Sequence, residues 1–322
     1  MELVRLPGTG LTVSRVCFGN MTFGGQTAEP EASRLLDCCL DNGVNFIDTA
    51  NVYNKGAAEE MLGRLLGARR QRIVLASKVR GAMGEAPDDS GLSRAAIEKA
   101  IDASLRRLRT DYLDLYYLHQ PDYSTPIGET LEALDSAVRS GKVRYPAISN
   151  YAAWQVCQTR AIAAQRGYTP IHVAQMMWNL MARGLEQEFV PFAQEYDVAI
   201  IAYNPLAGGL LTGKQRPEAP LPGTRFDRNQ MYLDRYWHPA FFDAVNKLGL
   251  VAREAGRSMV SLSLCWLLHH TQTACVILGA SRLEQLTENL AACMEGPLGS
   301  ETLARCDEIW RELRGVTPKY NR

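Results

Sequence analysis

The sequence predicts an α/β protein in which eight parallel strands, each followed by a helix, close into a barrel. Short apolar runs alternate eight times with amphipathic stretches along the 322 residues, and no linker divides the series. No G-x-G-x-x-G motif opens any of the predicted helices, which disfavours a doubly wound open sheet. We therefore predict a single (β/α)8 or TIM-barrel domain over residues 1–322, with an N-terminal β-hairpin and an extra C-terminal helix.

The chain begins with the predicted hairpin, in which residues 3–6 and 11–13 flank the turn sequence Pro-Gly-Thr-Gly. Such a hairpin could plug one end of the barrel. The barrel strands are then predicted from apolar runs at residues 16–19, 44–48, 73–78, 113–119, 143–149, 173–175, 199–203 and 274–278.

Helices are predicted wherever apolar residues recur at helical spacing, as Ile97 and Ile101 do behind the potential N-cap Ser93. The predicted helices are residues 31–41, 57–66, 93–107, 126–140, 152–166, 188–196, 239–255, 260–269 and 283–294, and the extra C-terminal helix is 301–313. Residues 208–237 instead form a long irregular insertion with three prolines after the seventh strand. Insertions of that length are usually functional or disordered.

Composition narrows the partners and the compartment. The 35 basic residues balance 35 acidic ones, which disfavours a nucleic acid or an acidic membrane surface as a partner. The eight cysteines form no C-x-x-C pair and no Cys/His cluster of zinc-finger spacing, so we expect reduced thiols and no metal site. The N-terminus has no basic segment followed by an apolar one, and no apolar run reaches membrane length. These features predict a cytoplasmic protein.

One strand end carries an acid and a phenol. The apolar run before Asp48 ends where the backbone leaves the predicted sheet, and Tyr53 follows five residues later. Catalytic groups of parallel barrels lie at such carboxyl ends. Taken alone, the same stretch also fits an Asp48 that caps the next helix and a Tyr53 that packs on the rim.

Two further strands end in titratable groups, Lys78 and His119. Singly, Lys78 could extend to solvent and His119 could be a hydrogen-bonded rim histidine. Together with Asp48 and Tyr53 they form a set that can transfer a proton to a carbonyl oxygen. A free tyrosine has a pKa of about 10. We expect the Lys78 ammonium to lower the pKa of Tyr53, and Asp48 to hold that amine charged.

These residues resemble the aldo-keto reductase superfamily, whose catalytic tetrad falls on Asp48, Tyr53, Lys78 and His119. The resemblance covers nearly the whole chain, and it is closest in character to the bacterial branch related to potassium-channel beta subunits. The motifs that carry it are Phe46-Ile47-Asp48-Thr49-Ala50, Gly141-Lys142-Val143-Arg144-Tyr145 leading to Ser149-Asn150, Ala202-Tyr203-Asn204-Pro205-Leu206, and Gly279-Ala280-Ser281.

The resemblance implies NADP(H) lying extended across the barrel mouth. Ser149, Asn150 and Gln175 would hold the carboxamide, and Tyr203 would stack on the nicotinamide. The pyrophosphate would lie against the backbone of residues 205–208 and 210. The resemblance implies the following cofactor-binding set: Met21, Gln26, Asp48, Ser149, Asn150, Gln175, Tyr203, Asn204, Pro205, Leu206, Ala207, Gly208, Leu210, Lys214, Arg225, Gly279, Ser281, Arg282, Gln285, Glu288 and Asn289.

Three cations in that set bear on cofactor choice. Lys214, Arg225 and Arg282 fall in segments that the resemblance places around the adenosine phosphates, and a cation near a 2'-phosphate favours NADP over NAD. Any one of them could instead be a solvated charge. Gln285 and Asn289 lie four residues apart on one helical face and would meet the adenine.

The expected substrate is a small carbonyl compound, reduced to its alcohol with Tyr53 as the general acid. Apolar candidates for its pocket are Met21, Phe23, Met83, Tyr151, Trp178 and Trp237, each of which could equally be rim packing. Such a lining would suit aromatic aldehydes, terpenoid or polyketide ketones, or a sugar. Two other functions remain open: an NADP(H)-sensing binding subunit with little turnover, and a barrel isomerase or lyase without nicotinamide.

Overall fold

A computed structural model of the chain describes residues 1–227 and 229–316. Two short antiparallel strands, β1 (Leu3–Arg5) and β2 (Thr12–Ser14), form the predicted hairpin. Residue 228 of the predicted insertion and the last six residues of the predicted domain, 317–322, lie outside the described residues.

Eight parallel strands close into a barrel, which confirms the predicted fold class. Around the barrel the strand order is β10-β3-β4-β5-β6-β7-β8-β9. Their bounds are β3 (Val16–Gly19), β4 (Phe46–Asp48), β5 (Val74–Val79), β6 (Leu113–Leu118), β7 (Val143–Ser149), β8 (Val173–Met177), β9 (Ala199–Tyr203) and β10 (Thr273–Gly279).

Helices surround the barrel, and the last of them is the predicted C-terminal helix. Ser93 caps the third helix, since its hydroxyl accepts a hydrogen bond from the Ala96 amide at 3.3 Å. The helices are α1 (Glu29–Asp41), α2 (Ala57–Leu66), α3 (Arg94–Leu108), α4 (Ile127–Arg139), α5 (Ala153–Arg166), α6 (Phe189–Glu195), α7 (Gln230–Tyr236), α8 (Pro239–Glu254), α9 (Met259–His270), α10 (Leu283–Cys293) and α11 (Ser300–Arg314).

The insertion after β9 is more regular than its prolines predicted. It opens with a 3-10 segment, Ala207–Thr212, and contains the helix α7. The prediction of a wholly irregular insertion was therefore wrong. Tyr232 and Tyr236, four residues apart on α7, are both buried, and this short amphipathic signal is easily missed between prolines.

Side chains alternate along the strands between two apolar cores. One core fills the barrel interior and includes Phe46, Val74 and Leu115, while the next residue along each strand packs outward against the helices. Leu6 and Leu11 of the hairpin loop belong to the interior core, so the hairpin closes the end where the strands begin. None of the helices within residues 1–227 and 229–316 is both long and apolar enough to cross a membrane.

Candidate active site at the barrel mouth

The four titratable groups predicted from the strand ends meet at the open end of the barrel. The parallel register sets Asp48 beside Ala76 and Lys78 beside Tyr117. Because Phe46 and Val74 face the interior, the two-residue period of a strand also turns Asp48 and Lys78 inward. Both are buried polar side chains, with Lys78 fully inaccessible to solvent.

Lys78 is the centre of the hydrogen-bond network. Its Nζ donates to the Asp48 carboxylate, to the Thr49 carbonyl at 2.7 Å and to the Tyr53 hydroxyl at 3.3 Å. The three donors of an ammonium are thus all used, as a buried cation requires. The sequence did not indicate Thr49, since a backbone acceptor leaves no mark in side-chain chemistry.

A tight turn brings Tyr53 over Lys78. Asn54 and Lys55 adopt left-handed conformations with φ of 48° and 54°, and Gly56 follows at 95°. The Asn54 amide donates to the carbonyls of Met21 and Phe23 at 3.0 and 2.7 Å, which fastens this turn to the loop after β3. The strained turn is therefore held from a neighbouring loop.

The proton affinities of the network differ in part from the sequence expectation. Burial raises the pKa of the Tyr53 phenol more than the Lys78 ammonium lowers it, so the net pKa is raised. The predicted net lowering is wrong for this state, although Lys78 acts in the predicted direction. For Lys78, burial works to lower the pKa, but Asp48 and Tyr53 outweigh it and the pKa is raised. Burial raises the pKa of Asp48, while Lys78 and Gln175 oppose that rise.

His119 is a neutral imidazole across the phenol. Burial, then the charges of Lys78 and Arg80, lower the pKa of His119 to about 3. Its ring stands edge-on to that of Tyr53, with the ring centroids 6.0 Å apart. The two rings therefore lie side by side at the mouth, with the histidine uncharged at neutral pH.

The hydroxyl and amide residues predicted to contact a nicotinamide form one hydrogen-bonded group beside this network. The Ser149 hydroxyl donates to the Gln175 carbonyl at 2.8 Å, and the Gln175 amide donates to Asp48 at 2.9 Å. The Asn150 amide donates to the His119 carbonyl at 2.9 Å, and its Oδ1 accepts from the Tyr203 hydroxyl at 2.7 Å. These four residues thus connect the mouth's polar rim to the titratable groups.

The loop after β9 contains several residues in left-handed conformations. Asn204, Ala207 and Gly208 have φ of 54°, 50° and 69°. Ala207 and Leu210 are buried, at 0% and 1% exposure, whereas Leu206 and Gly208 are partly exposed. A Cβ on Gly208 would come within 2.7 Å of the Tyr232 ring, which explains why this position needs glycine. Pro205 and Leu206 lie in the same turn.

The remaining predicted cofactor residues lie on two neighbouring segments. Arg225 of the insertion reaches Met21 Sδ and the Tyr232 hydroxyl, each at 3.3 Å, and Gln26 donates to the Gly223 carbonyl at 2.8 Å. At the start of α10, Gln285 accepts from the amide and hydroxyl of Ser281 at 3.0 and 3.2 Å. Asn289 is buried, whereas the exposed members of the set are Gln26, Asn150, Lys214, Gly279, Arg282, Gln285 and Glu288.

Tyr232 was missed by the sequence reasoning. Its hydroxyl donates to Asn204 Oδ1 at 3.1 Å and accepts from Arg225, so it joins the loop after β9 to the insertion. Because its helix was interpreted as irregular, no pattern pointed to it.

The predicted substrate pocket divides into packed and accessible residues. Phe23 has no exposed surface, and Trp178 is 2% exposed with its indole nitrogen donating to Glu186 at 3.0 Å. In this conformation neither presents a surface to a substrate, because both fill the core between strands and helices. Tyr151 is also buried, whereas Met83 and Trp237 are partly exposed.

The chain is similar to known proteins over nearly its whole length. The family model described as "Aldo/keto reductase family" matches residues 15–311. An uncharacterized oxidoreductase of Bacillus subtilis is 35% identical, with 99% of both chains covered. A probable voltage-gated potassium channel subunit beta of Arabidopsis thaliana is 36% identical, over 92% of this chain and 93% of its own. An aflatoxin B1 aldehyde reductase member 2 of Rattus norvegicus is 34% identical, over 98% of this chain and 88% of its own.

Proposed function

The chain belongs to the aldo/keto reductase family, and from that premise we propose that it is an oxidoreductase that reduces an aldehyde or ketone to its alcohol with NADPH. The observation that carries this proposal is the hydrogen-bonded series Asp48, Lys78 and Tyr53, with the neutral His119 ring beside the phenol. We further propose a single barrel domain over residues 1–322, a cytoplasmic location and a small-molecule carbonyl substrate.

Tyr53 is the proton donor in this proposal. Its raised pKa keeps the phenol protonated at neutral pH, as an acid must be before the reaction. When the carbonyl oxygen gains negative charge, the Tyr53 O–H proton passes to that oxygen and leaves a phenolate. Lys78, 3.3 Å from the hydroxyl oxygen, then stabilises the phenolate, so its charge acts more strongly after proton transfer than before.

Asp48 and His119 prepare the same oxygen for this step. Asp48 and the Thr49 carbonyl fix the Lys78 ammonium in place, which removes reorganisation from the reaction. His119 has a depressed pKa and therefore offers a neutral ring N–H, which orients the carbonyl without protonating it first. The two roles differ, since Lys78 acts through Tyr53 and His119 acts on the substrate.

The residues of the mouth fit a nicotinamide dinucleotide, which when bound supplies the hydride that reaches the carbonyl carbon. Ser149, Asn150 and Gln175 carry the hydroxyl and amide groups that a carboxamide needs, and their hydrogen bonds within the mouth fix where these groups stand. The Asn204 amide nitrogen is buried without a partner among the described residues. Such an orphaned donor favours a ligand acceptor at the loop after β9.

Cofactor choice is proposed from charge. Lys214 and Arg282 are exposed cations, and Arg225 lies beside the loop after β9 through Tyr232. We propose that these cations meet the 2'-phosphate of NADPH, with Ser281, Gln285 and Asn289 at the adenine end. The rat relative's name, aflatoxin B1 aldehyde reductase, agrees with a carbonyl substrate.

The test combines binding and turnover. Fluorescence titration with NADPH and NADH measures cofactor binding, and the absorbance of NADPH then measures turnover on a panel of uncharged aldehydes. Tight NADPH binding with turnover supports the reductase. Binding with negligible turnover would instead indicate a cofactor-sensing subunit, and absent binding would leave an isomerase or lyase.

A further inference from the structure

Arg80 lies directly beside His119 at the barrel mouth. Val79 pairs with Leu118 in the register of β5 and β6, and the His119 amide donates to the Val79 carbonyl at 2.9 Å. Arg80 and His119 are therefore the neighbouring residues at which these two strands end. Burial is the main cause that lowers the pKa of His119, and the charges of Lys78 and Arg80 add to it. Burial and the Asp122 charge raise the pKa of Tyr151, and the Arg80 charge opposes that rise, as expected when the guanidinium lies near both rings.

Arg80 and Tyr151 both carry donors without a partner. Arg80 Nε and the Tyr151 hydroxyl are buried and accept or donate no hydrogen bond among the described residues. Tyr151 as a whole is only 3% exposed. Within residues 1–227 and 229–316, no carboxylate forms an ion pair with Arg80. Buried donors without partners are unfavourable, so each of these groups favours a ligand acceptor.

Acids near Arg80 and Tyr151 have other hydrogen-bond or ion-pair partners. Asp122 accepts from the hydroxyls of Ser124 and Thr125 at 2.6 and 2.8 Å. Asp89 pairs with Lys99 at 2.8 Å. Asp122 keeps its negative charge, since these donors are neutral, but within residues 1–227 and 229–316 neither carboxylate forms an ion pair with Arg80. The Arg80 guanidinium therefore has no direct counter-ion and can meet a bound anion.

The backbone of Arg80 is held in a conformation that its side chain disfavours. Its φ of 140° lies in a region that L residues rarely adopt. The Arg80 carbonyl accepts from the Gly91 amide at 3.0 Å, so the loop between β5 and α3 closes on this residue. Strain of this kind persists where the surroundings fix it, and it concentrates at binding and catalytic sites.

We propose that Arg80, assisted by the Tyr151 hydroxyl, binds an anionic group of the carbonyl substrate. The substrate class is an aldehyde or ketone that carries a carboxylate or a phosphate. A guanidinium binds either group through two charge-assisted hydrogen bonds, and its position beside His119 keeps that group near the carbonyl. This inference rests on the proposed function and narrows it from carbonyl compounds in general to anionic ones.

The test uses matched substrates that differ in charge. One pair is 4-carboxybenzaldehyde and its uncharged methyl ester, and the other is glyceraldehyde 3-phosphate and glyceraldehyde. For the wild type we expect kcat/KM to favour the anionic member of at least one pair by tenfold or more, on the order of one charge-assisted contact. The pair that shows the preference distinguishes a carboxylate from a phosphate.

Variants assign the preference to residues. We expect Arg80→Gln to raise KM for the preferred anion by about tenfold or more while kcat and the uncharged substrate change little. Arg80→Lys should restore part of the loss, and Tyr151→Phe should give a smaller loss of the same kind. Arg34→Gln, which removes an exposed arginine of α1, serves as the control for a general change in charge.

Several outcomes would overturn the inference. Wild type without a preference in either pair contradicts it, even if the variants do not fold. Equal losses for charged and uncharged substrates in Arg80→Gln would make Arg80 a structural residue. Turnover of neither member of either pair, in a protein that binds no NADPH, would count against the proposed function itself. Turnover of the uncharged aldehydes alone would leave that function standing and reject only the anionic substrate.

Discussion

The two sides of the mouth differ in how far the fold alone completes them. On one side, Lys78, Asp48 and Tyr53 hold each other in a hydrogen-bonded network in which Lys78 and Asp48 are buried. On the other, Lys214 and Arg282 are exposed. The proton-transfer side is organised by burial within the barrel, whereas the proposed phosphate side depends on its ligand for order.

The largest expected effect tests the organised side. Tyr53→Phe should lower kcat by two or more orders of magnitude, because it removes the proton donor and leaves the ring in place. NADPH affinity, measured by fluorescence titration, should stay nearly unchanged. Tyr123→Phe, at an 85% exposed tyrosine, is the matched control. A Tyr53 variant that keeps most of its turnover would remove the phenol from the mechanism.

Asp48→Asn should give the next largest effect on turnover. Without the carboxylate, Lys78 loses the partner that raises its pKa, and Tyr53 loses a neighbouring negative charge that also raises its pKa. Both groups then lose their protons at lower pH. We therefore expect lower kcat and a basic limb of the kcat profile that moves to lower pH, and an unchanged profile would contradict the coupling.

The protonation of His119, on the proton-transfer side of the mouth, should make the stability of the fold depend on pH. Its folded pKa of about 3 lies below its ordinary value, so between pH 3 and about 6.5 the unfolded chain binds more protons. Stability should therefore fall as pH drops below about 6.5. The contribution from pH 7 to pH 5 is at most about 2 kcal/mol. Urea unfolding at both pH values measures this change in the free energy of unfolding, which should be smaller in His119→Gln than in the wild type. An equal change in the two proteins would exclude His119 as its source.

The smallest expected effect concerns the exposed side. Arg282→Ala should reduce the preference for NADPH over NADH by about tenfold, the size of one charge-assisted contact, and added salt should narrow the gap between cofactors. Dissociation constants for both cofactors measure it. Arg314→Ala, at the end of α11, is the control. Equal weakening of both cofactors would assign Arg282 to the loop structure.

The features that the sequence predicted have local signals, whereas those that it missed depend on tertiary packing. Strand ends such as Lys78 and His119 were found because an apolar run that stops at a polar residue is a local signal. The burial of Phe23 and Trp178, and the net rise in the pKa of Tyr53, depend on what packs around them from distant parts of the chain. The partnerless state of Arg80 is also a tertiary property, since it requires knowing where every nearby carboxylate is engaged.

The apolar hairpin that closes the barrel has a practical meaning for handling the protein. Because Leu6 and Leu11 fill the end where the strands begin, β1 lies at the opposite face from the four titratable groups. A tag or surface tether joined ahead of β1 should therefore present the mouth to bulk solvent. Immobilisation through that end would leave the reactive opening unobstructed for flow assays and biosensor measurements.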